Sequence, residues 1–420
     1  MGKFIVLGGA RLEGEVGVSG AKNAVLPIMA ASLLSGQASV LHQVPELADV
    51  LTMKKVLESL GAKVNFAGNR AEIETKGVIR MELPDELTRQ MRASNLVMGP
   101  LLGRFGYCKV SHPGGCEIGS RPMDLHLKGF KAMGAVVQET FGGYVEVECR
   151  QLKGADIHLD FPSVGATENL MMAAVFASGQ TIIRNAAKEP EIVDLQNYLN
   201  RMGARIKGAG LDVIRIQGVT SLHSAEHTII PDRIEAGTFM IAAAISNGDV
   251  VLSNVIPEHL EPVTAKLREA GVTINDLGDG LRITCPNRIK SVDVKTMPYP
   301  GFPTDMQPQM VALLTRSQGT SIVSENIFEN RFKYVDELRR MGAQIKLEGR
   351  AAIVTGVTRL AGAIVEASDL RAGAALIVAA LAAQEATVIE KISHIERGYE
   401  NLEKKLNNLG SRVIKVNSSN

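Results

Sequence analysis

A ten-residue pattern recurs six times at a spacing near 70 residues, and that recurrence limits the fold more than any other feature. The copies read KVLESLGAKV, KGFKAMGAVV, NYLNRMGARI, AKLREAGVTI, DELRRMGAQI and KKLNNLGSRV. Each joins a charged helical stretch to a Gly with a small residue and then to a short strand. The glycines are Gly61, Gly134, Gly203, Gly271, Gly342 and Gly410, at intervals of 73, 69, 68, 71 and 68.

Every unit also has an earlier half. A mostly apolar helix comes first: AVLPIMAASLLSG, NLVMGPLLGRFG, NLMMAAVFASG, AGTFMIAAAISNG, MQPQMVALLTRSQG and AGAALIVAALAA. A glycine follows as a left-handed C-terminal cap, except in the sixth copy, where Gln384-Glu385 stands instead. A β-branched run such as TIIRNA, DVVLSNV or TSIVSEN then reads as a strand. A helix apolar nearly all round must be buried on all sides. The expectation is therefore a two-domain inside-out α/β barrel of six βαβαββ-type repeats. Three repeats make each domain, with the apolar helices central and the amphipathic helices and sheets outside. Aromatic residues make up 4% of the chain, and Ala, Gly and Met let such helices approach closely. No GxGxxG follows a strand and no GxxxxGK[ST] occurs, so the nucleotide-fold fingerprints of a doubly wound sheet are missing.

With 420 residues the chain exceeds one ordinary core. Lys and Arg number 46 against 45 acidic residues, so no global field draws nucleic acid or a membrane surface. Any anion binding must be local. Cys108, Cys116, Cys149 and Cys285 are too scattered for a disulfide framework, and no CxxC or CxxxH spacing suggests zinc. The N-terminus lacks the apolar core of a signal peptide. The longest apolar run, Ala372 to Ala383, falls well short of the ~20 residues that cross a bilayer. A reducing cytoplasm is the expected location.

Polar residues open each apolar helix: Lys22 and Asn23, Arg89 and Arg92, Ser163 and Thr167, Asp232 and Arg233, Asp305, and Asp369 with Arg371. A helix start offers free N–H groups and a positive dipole end, which suits anions. Ser163 and Asp369 fit capping as well as ligand binding. A cation there opposes the dipole by about 0.3–1 kcal/mol, so Lys22, Arg92 and Arg371 read as ligands for a negatively charged substrate. A solvated surface charge is the alternative for each.

The stretch HPGGCEIGSRP at 112–122 puts a cysteine among three glycines. From helix-end glycine to turn glycine the units measure 25, 28, 24, 23, 23 and 25 residues, the last counted from Glu385. The second alone is stretched, and its surplus is this loop. Insertions into a repeat's loop commonly build a binding or catalytic feature, and glycines suit a lid. Cations activate a thiol, and His112 and Arg121 are the local ones for Cys116. The other three cysteines fall in or beside expected strands and read as inert filler.

KNA at the first helix mouth, GGCEIGSRPMDLH in the stretched loop, FPTDMQ and DLRAG closely resemble the UDP-N-acetylglucosamine 1-carboxyvinyltransferase family of enolpyruvyl transferases. The likeness runs from about Met1 to Val416. It implies two three-repeat domains around a cleft that closes on substrate, with the chain crossing near residues 21 and 230. The first domain is 22–229, carrying the Cys116 loop, and the second is 1–21 with 230–420. It also implies transfer of the enolpyruvyl group of phosphoenolpyruvate to the 3′-hydroxyl of UDP-N-acetylglucosamine, releasing phosphate and opening peptidoglycan synthesis. Those two small molecules are the implied partners, with no metal or organic cofactor.

By the same resemblance Cys116 is the general acid that protonates the methylene carbon of phosphoenolpyruvate, and it can also add to the enol carbon. Family members with aspartate at this position favour the acid role as the essential one. Lys22 and Asn23 match the phosphoenolpyruvate site. Arg121 and Arg397 hold its phosphate, and Arg92 and Arg371 fall on the positive cleft. Asp305 matches the carboxylate touching the sugar hydroxyl, a general base. Arg121, Pro122, Met123, Asp124 and Leu125 match the nucleotide-binding run, and Ser163, Val164, Gly165 and Ile327 complete the sugar-nucleotide pocket. Phe161-Pro162 stands where some relatives carry a diphosphate-contacting lysine.

The 5-enolpyruvylshikimate-3-phosphate synthase type, built from the same six units, lacks the cysteine loop. A non-catalytic nucleotide-sugar sensor would have no use for Cys116, Asp305, Arg397 and Lys22 together. An RNA-end-processing enzyme with related repeats would carry a basic stripe with aromatics. Replacing Cys116→Ala is expected to abolish phosphate release while UDP-sugar binding stays measurable by calorimetry. Release at the wild-type rate would remove the acid assignment.

Overall fold

The computed structural model describes residues 2–111, 123–140 and 143–417. These form an α/β architecture in two compact units, one of 2–19 with 231–417 and the other of 20–111, 123–140 and 143–230. Cys116, Arg121, Pro122 and His112 lie outside the described residues.

In the unit starting at residue 20, three apolar helices lie at the centre: Lys22–Ala31, Met98–Phe105 and Val164–Ala174. The second is led in by a 3-10 stretch, Arg92–Val97. In the other unit the corresponding helices are Arg233–Ile245, Gln307–Leu314 and Leu370–Leu381. Burial of the last is complete, from Leu370 to Leu381. Each fully buried Leu, Ile or Met contributes about 1.5–3 kcal/mol, and each unit closes around its own apolar core. Small residues set how closely these helices meet. A Cβ on Gly99 would stand 2.3 Å from the backbone oxygen of Asn169 on the neighbouring helix.

Six sheets occur among the described residues, five of four strands and one of three. Each four-stranded sheet combines antiparallel pairs with one parallel pair; Asp156–His158 beside Gln180–Arg184 is an example. Strand Lys3–Leu7 lies between Ala386–Glu390 and Arg412–Val416, antiparallel to both, with Ile5 opposite Val388 and Ile414. Alternation fixes that register, because Phe4 and Val6 enter the core.

The recurring glycines close the amphipathic helices. Gly61, Gly134, Gly203, Gly271, Gly342 and Gly410 all have φ between 88° and 107°. That left-handed conformation costs glycine nothing and turns the chain into the next strand. The expected glycine caps on the apolar helices differ from this. Only Gly106 follows its helix directly in a left-handed conformation. Gly179 and Gly319 lie five residues beyond their helices, at the entry to a strand. Beside Gly248 the left-handed residue is Asn247, whose short amide side chain tolerates that region.

No described helix is long and apolar enough to cross a membrane. Replacing Gly99→Ala should overpack the crossing at Asn169. It is expected to lower the unfolding free energy by about 1–3 kcal/mol, read as a reduced urea midpoint at unchanged slope.

Candidate functional site

The residues expected at the site fall in both units. In the unit 20–230, Lys22 is the first residue of its helix, which has no side-chain cap. Its Nζ lies 2.8 Å from Asp49 Oδ2, with both side chains largely buried. Asp49 sits in the first turn of helix Ala48–Leu60, where a carboxylate is favoured by the dipole. Lys22 is thus a buried, paired ammonium and not a solvated surface charge. Asn23, half-buried, follows it. Pro27 lies inside the same helix and supplies no N–H to the Asn23 carbonyl four residues back.

Arg92, half-buried, opens the 3-10 stretch before the second apolar helix. Its charge reaches His126 on helix Asp124–Ala132. Burial, then Arg92, pulls the imidazole from 6.5 down to about 4. Neutral His126 pairs through Nδ1 with Asn169 Nδ2 at 3.0 Å. Asn169 Nδ2 also donates to the Asn95 carbonyl, and its Oδ1 accepts from Gly99 N at 2.7 Å. One buried amide therefore ties the helix Val164–Ala174 to the Asn95–Gly99 stretch and to the helix that carries His126. Met123 is buried, Asp124 exposed and Leu125 half-buried at the start of the His126 helix. Ser163 caps Val164–Ala174, its Oγ accepting from Ala166 N at 3.4 Å. Gly165 approaches His126, with room for a Cβ 3.4 Å from Cε1.

The other unit gathers the acidic and guanidinium groups. Asp305 lies in the 3-10 turn Thr304–Met306 that leads into Gln307–Leu314. Its Oδ1 accepts from Arg331 Nη2 and its Oδ2 from Arg371 Nη2, each at 3.0 Å. Arg331 and Arg371 are 2% and 3% exposed. Burial opposes the charge on Arg371, but Asp305, Tyr399 and Asp232 outweigh it, so the guanidinium is held more firmly protonated than usual. Asp369 caps its helix, accepting from Arg371 N and Ala372 N. The cation that opposes the dipole is thus matched by a capping carboxylate and by Asp305. Arg371 Nη1 and Arg331 Nε are buried with no hydrogen-bond partner among the described residues. Such unmet donors suit a bound anion.

Ile327 is placed by a carboxylate that sequence reasoning missed. Buried Glu325 accepts from Ile327 N and Phe328 N, and from the hydroxyls of Thr296 and Thr304. It links the Ile327 turn to the residue before Asp305. Arg397, half-buried, ends the 3-10 stretch Ile392–Arg397. That stretch presses on the sixth apolar helix, where a Cβ on Gly373 would stand 2.4 Å from Ile395 Cγ1. Asp49, His126, Glu325, Arg331 and Tyr399 escaped the sequence reading. Their segments read as ordinary amphipathic helix or loop.

Among the described residues no group of three His, Cys, Asp or Glu could hold a metal. Cys108, Cys149 and Cys285 are buried. Burial pushes the Cys108 thiol up to about 12, so it is inert.

The family model described as EPSP synthase (3-phosphoshikimate 1-carboxyvinyltransferase) matches residues 6–406. UDP-N-acetylglucosamine 1-carboxyvinyltransferase 1 of Carboxydothermus hydrogenoformans is 58% identical over 99% of both chains. The protein of the same name from Symbiobacterium thermophilum is 57% identical over 99% of this chain and 95% of its own. The chain belongs to the UDP-N-acetylglucosamine 1-carboxyvinyltransferase family. Among solved structures, the enolpyruvyl transferase NikO from Streptomyces tendae covers the whole chain and 99% of its own, at TM-score 0.90 and 24% identity. An EPSP synthase from Acinetobacter baumannii covers 99% of this chain and 100% of its own, at TM-score 0.78 and 19% identity. These two show that the enolpyruvyl transferase fold is shared.

In this family member, His126 makes stability depend on pH. As pH falls below 6.5 the unfolded chain takes up a proton that folded His126 refuses until about 4. Stability present above 6.5 is therefore lost across that window, by about 3 kcal/mol. Urea unfolding between pH 7 and pH 4 should show this slope in the wild type, and His126→Gln should lack that component.

Proposed function

We propose that this enzyme transfers the enolpyruvyl group of phosphoenolpyruvate to the 3′-hydroxyl of UDP-N-acetylglucosamine, releasing phosphate in the first committed step of peptidoglycan synthesis. The observation that carries this reading is 55–58% identity, over 98% or more of the chain, to relatives bearing that transferase name. The EPSP synthase structures from Acinetobacter baumannii are 19% identical to this chain, far below those relatives, which disfavours shikimate 3-phosphate as acceptor.

Several features support the site assignment. Phosphoenolpyruvate brings a phosphate and a carboxylate, and arginine matches both groups bidentately. Lys22, Asn23, Arg92, Arg121, Arg371 and Arg397 are the groups assigned to it or to the surrounding positive cleft. Two of them head apolar helices as buried cations, and Arg371 keeps an unmet donor. Cys116 protonates the methylene carbon, leaving a cationic centre at the enol carbon. A thiol of ordinary pKa near 8.5 is close enough to neutrality to cycle in that role. The 3′-hydroxyl then attacks this centre while Asp305 accepts its proton. The Cys116 thiolate then takes a proton back from the former methylene carbon as the C–O bond to phosphate breaks, which restores the double bond and the thiol. Arg331 and Arg371, one on each oxygen of Asp305, fix which way the carboxylate faces. Met123, Asp124, Leu125, Pro122, Ser163, Val164, Gly165 and Ile327 are assigned to the sugar nucleotide. No cofactor takes part in this scheme.

The architecture assigned to this function is the six-repeat inside-out barrel, with domains 22–229 and 1–21 plus 230–420. Six sheets among the described residues and six left-handed turn glycines support it. The nature of both substrates favours a cytoplasmic location.

Phosphate release from phosphoenolpyruvate should occur with UDP-N-acetylglucosamine and not with shikimate 3-phosphate; the reverse pattern would overturn the reading. Asp305→Ala would strand two buried guanidiniums at a cost of about 3–5 kcal/mol, so Asp305→Asn is the cleaner probe of the base. It is expected to slow the single-turnover step by about 10²–10⁴-fold.

A further inference from the structure

Tyr399 is not itself assigned to either substrate, yet three of the apolar helices meet around its side chain. It is 3% exposed, and burial raises its pKa above 10, so it is a neutral phenol. Its Oη lies 2.9 Å from Thr238 Oγ1 on Arg233–Ile245 and 3.1 Å from Gln309 Nε2 on Gln307–Leu314. The Arg371 guanidinium of Leu370–Leu381 stands over its ring, 5.5 Å from the centroid.

The hydrogens in this cluster can be placed by elimination. Thr238 donates its own hydrogen to the Ile234 carbonyl at 2.7 Å. It can therefore only accept from Tyr399, which spends its single hydrogen there. Gln309 Nε2 donates toward this pair, 3.2 Å from Thr238 Oγ1 and 3.1 Å from Tyr399 Oη, with Met306 Sδ a further acceptor at 3.9 Å. One lone pair of the phenol is left, and the Arg371 guanidinium over the ring is the cation beside it. Tyr399 is also two residues beyond Arg397, and its N–H returns to the Ile395 carbonyl at 3.1 Å. Tyr399 thus joins the two through different groups: its ring meets Arg371 at the start of the sixth helix, and its backbone holds the turn that carries Arg397.

We propose that Tyr399 is a positioning residue for the transfer reaction, fixing Arg371 against Asp305 and Arg397 on its turn through the hydroxyl triad with Thr238 and Gln309. This rests on the function proposed above, so wild-type phosphate release from phosphoenolpyruvate and UDP-N-acetylglucosamine is established first. Failure there sinks that reading and not the triad.

Three variants then test the triad. Tyr399→Phe keeps the ring and removes the hydroxyl. Thr238→Val removes its acceptor, and Thr238→Ser restores it. Tyr399→Phe and Thr238→Val should each lower kcat about ten- to a hundredfold and raise KM for phosphoenolpyruvate. KM for UDP-N-acetylglucosamine should stay within about twofold, because a merely structural defect would move both. The double variant should be no worse than either single one, since both break one interaction, and Thr238→Ser should keep wild-type kcat. Wild-type kcat in either disruptive variant would overturn the proposal, as would additive losses or a parallel rise in both KM values. Should Tyr399→Phe fail to fold, Thr238→Val against Thr238→Ser decides the matter by the same readouts.

Discussion

The contact on which the rest turns is the carboxylate of Asp305 held between two buried guanidiniums. Removing an arginine from water costs several kcal/mol, and that cost is offset only where geometry is good and the remaining donors find partners. Arg331 and Arg371 each meet one oxygen of Asp305 at 3.0 Å. Asp369, at 4.0 Å from Arg331, adds a second carboxylate and caps the helix that Arg371 begins. Charge is nearly balanced inside the unit before any substrate arrives, and the unmet guanidinium donors remain as a preference for an anion. Lys22 and Asp49 repeat this logic at smaller scale in the other unit.

A fold made of apolar helices explains why such charges collect at helix starts. The flanks of these helices are closed by packing so tight that Gly99 faces a backbone oxygen. Polar chemistry is left to the ends, where N–H groups point outward without partners. Ser163, Asp232 and Asp369 meet some of those groups as caps. The first helix has no side-chain cap and begins with Lys22. The enolpyruvyl transferase fold is shared with chains at 19–24% identity.

Much of this was legible from residues. The 70-residue recurrence located the turn glycines because a left-handed conformation admits few other residues. Lys22 and Arg371 stood out because a cation at the head of an apolar helix opposes the dipole. Asp305 and Arg397 came through resemblance to the family. Illegible were the partners: Asp49 lies 27 residues from Lys22 in an amphipathic helix, and Arg331 belongs to a polar loop like any other. Burial decides their role, and burial depends on contacts that no local pattern records. The glycine expected to cap the fourth apolar helix was misplaced by one residue, since asparagine serves there almost as well.

Strand Lys3–Leu7 pairs on one side with residues 386–390 and on the other with 412–416, over 400 residues away in the second case. During vectorial synthesis its partners leave the ribosome long after it does. Residues 20–230 can complete their own core while this strand waits with both edges unsatisfied, an arrangement that invites mispairing. The strand is therefore made long before its partners and is among the last elements to find its place.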